Sequence, residues 1–467
     1  MNRWKHFIVL AMAWVFIPAF LASCGVEPTA VTPSSESTTT LTEATTATAA
    51  SESATSSAQT YQSQPQQTSS QTAPQTSQDG TRPSRSSTST AATVTKATTR
   101  KSTSAAKPPP SSPPKRLMVG YYTGWSAGTG YTPDKIPANK LTHIPYAFAK
   151  IDPKTLTITL ADPATDRRNF EKLRQLKAKH PHLKTLISVG GWDYSGYFSD
   201  AAATSNSRKA FAQSCVAFIR EHGFDGVDLD WEYPVSGGMA GNHNRPQDKQ
   251  NFTLLLQTLR EQLNAQGKQD GKSYQLTIAG AVSSGYLDRI ELTRILPLVD
   301  YIFLMSYDMH GPWDAFADFN APLYTPSGNT PHYQNSVDDA IRLYLRRGAS
   351  ASKLVLGMPF YGYKYQGVDK KGNGLYSRFS SASSLGYAQL AAGYIGKSGY
   401  SRFEHKEAGV PYLYGNNAFI SYDDPASIAA KVRFARQKGL AGVGAWSLPH
   451  DSGGVLLDSA YRALIDG

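Results

Sequence analysis

Cysteine is nearly absent: Cys24 and Cys215 are the whole complement of a 467-residue chain. Two thiols cannot make a disulfide framework, so no stapled fold is encoded. Cys215 falls in Arg208–Arg220, an amphipathic helical pattern, on one apolar stripe with Phe211 and Phe218. That setting predicts a buried structural thiol rather than a nucleophile. Clustered positive charge is missing too. The net charge is +11, yet Lys and Arg are scattered rather than run together. Scattering predicts a solvated basic surface and no nucleic-acid partner. Large apolar residues are scarce from Gly25 to Pro114, where Ser, Thr, Ala, Pro and Gln dominate. Such a stretch buries too little surface to offset its ordering entropy, so Gly25–Pro114 is predicted to stay disordered.

What the N-terminal end does contain is a targeting pattern. Arg3 and Lys5 precede an apolar run from Phe7 to Leu21, the layout of an export signal. The next residues, Leu21-Ala22-Ser23-Cys24-Gly25, resemble the bacterial lipoprotein box. That resemblance implies cleavage before Cys24 and a lipid on its sulfur. A plain secretory signal with an incidental cysteine, or an uncleaved anchor, would carry the same run. The expected organisation is a signal peptide over 1–23, a Ser/Thr/Pro-rich linker over 24–114 and a folded domain over 115–467. Pro108–Pro110 and Pro113-Pro114 would stiffen the linker's end. The expected location is outside the cell, lipid-anchored on the outer face of a bacterial membrane, or secreted.

Beyond Pro114, strand-length apolar runs alternate with helical patterns. The runs are Leu117–Tyr122, His143–Ala149, Thr185–Gly190, Gly226–Glu232, Leu276–Val282, Tyr301–Tyr307, Leu354–Phe360 and Gly442–Leu448. Amphipathic stretches at Asp166–Lys179, Ser207–His222, Gln247–Ala265, Ser336–Arg347 and Ile428–Lys438 lie between them. Repeated βα units of this kind predict an α/β fold, a closed (β/α)8 TIM barrel. The gap before the eighth strand is too long for one crossover helix. A small α+β insertion is expected there, over about 363–417, where Tyr and Gly are frequent. Barrel sites sit at the strands' C-terminal ends, and here those ends carry Tyr121, Phe148, Trp192, Glu232, Tyr307, Asp308 and Trp446.

The most informative segment is Asp225-Gly226-Val227-Asp228-Leu229-Asp230-Trp231-Glu232-Tyr233. Side chains alternate along a strand, so Asp228, Asp230 and Glu232 share a face, spaced about 6.6–7 Å apart. Three carboxylates inside a barrel raise one another's pKa and cannot all ionise cheaply. Val227, Leu229 and Trp231 on the opposite face rule against a solvated edge strand. A carboxylic acid kept protonated near neutrality can protonate a leaving oxygen, and Glu232, last in the row, is best placed to do so.

Asp225-x-x-Asp228-x-Asp230-x-Glu232 resembles the signature of family-18 glycoside hydrolases, the chitinases. Ser188-Val189-Gly190-Gly191-Trp192, Met305-Ser306-Tyr307-Asp308 and Ala445-Trp446-Ser447-Leu448 match further marks of that family. The resemblance implies Glu232 as acid/base, Asp230 as its proton-sharing partner, Asp228 as a buffer and Asp225 as chiefly structural. It also implies that Tyr307 binds the substrate's acetamido group, beside Met305 and Asp308. Trp446 would floor the cleft, and Tyr121, Phe148, Trp192 and Tyr233 would line it. Ser188, Gly190 and Gly191 belong to the structural motif. In this family the substrate's own N-acetyl oxygen replaces a carboxylate nucleophile, forming an oxazolinium ion with retained configuration. No metal or cofactor is implied. The chain departs from the family at Tyr363, where many members have Arg. The implied partner is chitin or its oligosaccharides, acted on by a monomer. Two alternatives use the same residues differently: an endo-β-N-acetylglucosaminidase acting on N-glycans, and a non-catalytic chitin-binding lectin. The intact Glu232, Asp230 and Tyr307 argue against the lectin.

Overall fold

The computed structural model describes residues 116–327 and 335–465. Cys24, the signal pattern and the linker lie outside the described residues. Eight parallel strands form the barrel: β1 Leu117–Gly120, β2 His143–Ile151, β3 Lys184–Gly190, β4 Gly226–Asp230, β5 Gln275–Gly280, β6 Tyr301–Leu304, β7 Leu354–Pro359 and β8 Gly442–Trp446. Each pairs with the next, and β8 returns to β1 in the register Leu117↔Gly442 to Gly120↔Ala445. Val119↔His143 joins β1 to β2 and closes the ring, so no barrel edge is left to pair with another chain. The expected (β/α)8 barrel is the fold of this chain.

The principal helices are α1 Pro163–Lys179, α2 Ser205–His222, α3 Asp248–Asp270, α4 Val337–Arg346, α5 Pro425–Gln437 and α6 Val455–Ile465. Their ends follow local chemistry. Asp162 caps α1 by accepting from the amides of Ala164 and Thr165, and Pro163 opens the first turn. Thr204 and Ser207 cap α2 reciprocally, and Gly223 ends it at φ +77°.

Side-chain alternation sorts the barrel into two apolar layers. Val227, Leu229 and Trp231 face outward to the helices, where Trp231 stacks on Phe198 at 5.3 Å and meets Phe252 edge-on at 5.4 Å. Cys215 is buried in this layer with Phe211 and Phe218, and burial pushes its thiol pKa up, which keeps it inert. The inner layer holds Val119, Tyr121, Leu186, Tyr301, Phe303 and Val355.

Six strands stop one to three residues short of the predicted ends, and at two of them this bears on the site. β4 ends at Asp230 and β6 at Leu304, so Glu232, Tyr307 and Asp308 sit in the loops just above the barrel. Between β7 and β8 an antiparallel sheet runs from Tyr361 to Ser421, slightly wider than the expected 363–417. Its strands follow the order Ser381–Gly386, Tyr361–Gln366, Ala418–Ser421, Val410–Gly415 and Ser401–His405, with a short helix over Tyr387–Gly393.

Candidate active site

Three elements converge on Asp228. Its Oδ2 accepts hydrogen bonds from the Tyr121 hydroxyl at 2.9 Å and the Ser188 hydroxyl of β3 at 2.7 Å. Its Oδ1 accepts from Thr277 of β5 at 2.6 Å. Burial raises the carboxyl pKa, and the three donors oppose that rise.

Asp230 follows on the same face and is 4% exposed, and its Oδ1 has no hydrogen-bond partner among the described residues. Such a group costs stability unless something else binds it, which makes this oxygen the natural contact for a ligand. Burial raises its pKa well above the usual carboxylate range, and the charges of Glu232 and Asp228 raise it further.

Glu232 is half-buried just past β4. Its amide donates to Ser195 Oγ at 2.9 Å, and its carbonyl accepts from Asn242 Nδ2 at 2.9 Å. These bonds replace the strand ladder and fix the residue's exit direction. Burial pushes the Glu232 carboxyl up to about 7, Asp308 and Asp193 adding to the rise, while a hydrogen bond from Tyr233 opposes it. Two neighbouring carboxyls that both resist ionisation titrate as a pair and can share a proton.

Tyr307 is buried, and burial followed by the charges of Asp230, Asp308, Glu232 and Asp228 raises its pKa, so its hydroxyl stays protonated as a donor. Asp308 adopts φ +56° and donates its amide to Asn320 Oδ1 at 2.8 Å. Its carboxylate Oδ1 accepts from both Tyr361 and Tyr363, the latter at 2.8 Å.

Aromatic rings line the approach. Trp446 is half-buried and lies 5.6 Å from Phe148, nearly parallel, and 5.4 Å from Tyr121. Met305 packs in the same cluster. Trp192, Trp125 and Trp313 are 45%, 59% and 56% exposed. Trp125 continues the row from Phe148 at 6.3 Å, and Trp313 stands edge-on to Tyr363 at 5.9 Å. Gly191, at φ +74°, must lack a side chain because a Cβ would meet the Phe148 ring at 2.5 Å. Gly190, at φ +105°, is confined likewise: a Cβ would lie 2.3 Å from the Asp230 carbonyl.

The structure thus gathers Tyr121, Phe148, Ser188, Asp228, Asp230, Glu232, Tyr233, Met305, Tyr307, Asp308 and Trp446 around one mouth, with Trp192 exposed just after the Gly190-Gly191 turn. Asp225 is elsewhere. At the opposite end of β4 it accepts from the Thr185 amide at 2.7 Å and pairs with Lys177 at 2.6 Å. Sequence reasoning missed Ser195, Thr277, Trp125, Tyr361 and the Tyr363 contact. Thr277 had a signal, as a lone polar residue within an apolar strand. Ser195 had none, because its partner is a backbone amide brought near only by the fold.

A family model described as glycosyl hydrolases family 18 matches residues 117–451. Chitinase A1 of Niallia circulans is 42% identical over 393 residues, covering 72% of this chain and 56% of that protein. The chain therefore spans little more than half of that relative's length. Chitinase ChiA74 from Bacillus thuringiensis superimposes with a TM-score of 0.72 at 38% identity, covering 75% of this chain and 70% of that one. A family-18 N-acetylglucosaminidase from Paenibacillus barengoltzii gives a TM-score of 0.69 at 37% identity, with 75% and 100% covered. The matched residues include every strand of the barrel and the whole carboxylate row of β4: the chain belongs to family 18 of the glycosyl hydrolases.

Proposed function

We propose that the chain is a chitinase that hydrolyses β-1,4-linked N-acetylglucosamine polymers with retention of configuration. The observation that carries this reading is the unpartnered Oδ1 of buried Asp230, set between Asp228 and Glu232. Glu232 protonates the glycosidic oxygen as the bond to the anomeric carbon breaks. The substrate's acetamido oxygen attacks that carbon, giving a cyclic oxazolinium ion. Asp230 orients the acetamido N–H and balances the ion's charge, and the Tyr307 hydroxyl holds the acetamido group. Glu232, now ionised, takes a proton from water, which opens the ring from the face of the departed sugar. Asp228, tied by three donors, buffers Asp230: its charge raises that carboxyl's pKa and keeps the shared proton on the Asp230–Glu232 pair. Trp446 and Phe148 offer apolar faces to sugar rings.

Export, with a lipid on Cys24 and the linker 24–114 as a tether for a monomeric domain over 115–467, completes the proposal. It rests on the N-terminal sequence pattern alone. A second reading, release of single N-acetylglucosamine units, draws on the likeness to the Paenibacillus N-acetylglucosaminidase. Product analysis on chitin oligosaccharides beside a high-mannose glycoprotein separates the cases. Oligosaccharide products support the chitinase, monosaccharide alone supports the second reading, and cleavage of the glycoprotein only would overturn both.

A further inference from the structure

Away from the cleft, α5 and α6 enclose a groove of about 650 Å³ on the outer helical layer. Pro425, Ala429, Arg433 and Arg436 recur at helical spacing along one face of α5, and Arg462 of α6 lines the groove with them. Two hydrogen bonds bridge the helices and set the groove's width. Ser459 Oγ donates to the Pro425 carbonyl at 2.5 Å, and Arg436 donates to the Ala463 carbonyl at 3.0 Å. Arg436 is thereby spoken for. Arg433 and Arg462 are exposed, and neither makes a hydrogen bond or ion pair among the described residues. The acid in the lining, Asp458, is engaged by Lys140. Two guanidinium forks therefore stand in the groove with no counter-ion of their own.

The charge of the linker, read from the sequence alone, is an independent observation. From Glu27 to Asp79 it has five acids and no base; from Arg82 to Arg116 it has eight bases and no acid. The basic part leads into the domain at Arg116, whose guanidinium donates to the Leu440 carbonyl at 2.8 Å, just past the end of α5. Groove and entering segment thus carry the same sign, and both call for an anion. The anion must be narrow enough to lie between two helices. No aromatic ring lines the groove to stack a nucleobase, and the rest of its lining is small or aliphatic, which suits a bare polyol backbone.

We propose that the groove between α5 and α6 binds a linear polyol-phosphate polymer, with Arg433 and Arg462 holding its phosphodiesters. Leu440 leads into β8 at the end of the barrel opposite the cleft, so the bound polymer leaves the cleft open. The proposal is independent of the chitinase reading. The test titrates the full chain with fluorescent poly(glycerol phosphate) at low and high salt. Wild-type binding should weaken as salt rises. Arg433→Gln with Arg462→Gln should weaken it at least about tenfold and flatten its salt dependence. Lys179→Gln with Lys209→Gln removes two charges from exposed sites on α1 and α2, and should bind as the wild type does. Arg462→Gln alone should shift affinity in the same direction as the arginine pair, and so reports even where the double variant folds poorly. Equal losses in the two double variants would assign binding to net charge and overturn the proposal. Tighter binding of single-stranded DNA or of phosphatidylglycerol vesicles than of poly(glycerol phosphate) would overturn it as well.

Discussion

At the scale of single residues, the chemistry depends on a carboxyl that is still protonated near neutrality. Glu232→Gln keeps the shape and removes the proton, so turnover is expected to fall by about 10²–10⁴, the usual worth of a general acid. Binding of oligosaccharides should persist; a variant retaining a third of wild-type turnover would end the assignment. The pH dependence has a definite sign. The working form of Glu232 is the acid, and burial has raised its pKa to about 7, so kcat/KM should decline as pH climbs through that value. A profile flat to well above neutrality would contradict this. Asp225→Asn is expected to leave kcat nearly intact and lower the melting temperature, because that carboxylate grips Lys177 and the Thr185 amide at the far end of the barrel. The acid row was legible because alternation in a strand is a local rule that three residues suffice to display. The hydroxyl of Ser195 on the Glu232 amide was not, since its position is set by a loop's path.

At the scale of elements, the eight strands and five of the long helices were readable from apolar runs with shifted ends, whereas α6 was not. β4 stops early because the side chains of Ser195 and Asn242 take over the backbone hydrogen bonds of Glu232, and beyond β6 the Asn320 side chain takes the amide of Asp308. The Gly190-Gly191 turn after β3 is a second device of this kind. Gly191→Ala forces a side chain into a left-handed conformation and against Phe148, costing on the order of 1–3 kcal/mol. Lower melting temperature together with a raised KM should result, as the aromatic floor is pushed aside. The segment leading from the insertion into α5 is tied to that helix by a wholly buried pair that no sequence rule announced: Lys431 Nζ lies 2.5 Å from both oxygens of Asp423. Lys431→Met strands a buried charge, so stability to denaturant should drop by about 3–5 kcal/mol, while kcat of the folded protein is retained. A loss below 1 kcal/mol would show the carboxylate finding water instead.

At the scale of the whole molecule, the barrel was inferable because eight βα units leave few alternatives. The insertion's five-stranded order was not, because its pairings join residues far apart in sequence. The anchor proposal belongs to this scale. Wild-type protein made in bacteria should partition into detergent, and Cys24→Ala should not; equal partitioning would remove the case for lipid attachment. The catalytic proposal itself also concerns the molecule as a unit, for it assigns the nucleophile to the substrate and leaves every cleft carboxylate another task. Substrates without a 2-acetamido group at the reacting position should then resist cleavage. The most direct measurement is NMR of the anomeric proton during the first minutes of hydrolysis of a chitin oligosaccharide. The β-anomer should appear first and mutarotate later, whereas an α-anomer as first product would mean that water attacked directly and that the acetamido group is not the nucleophile.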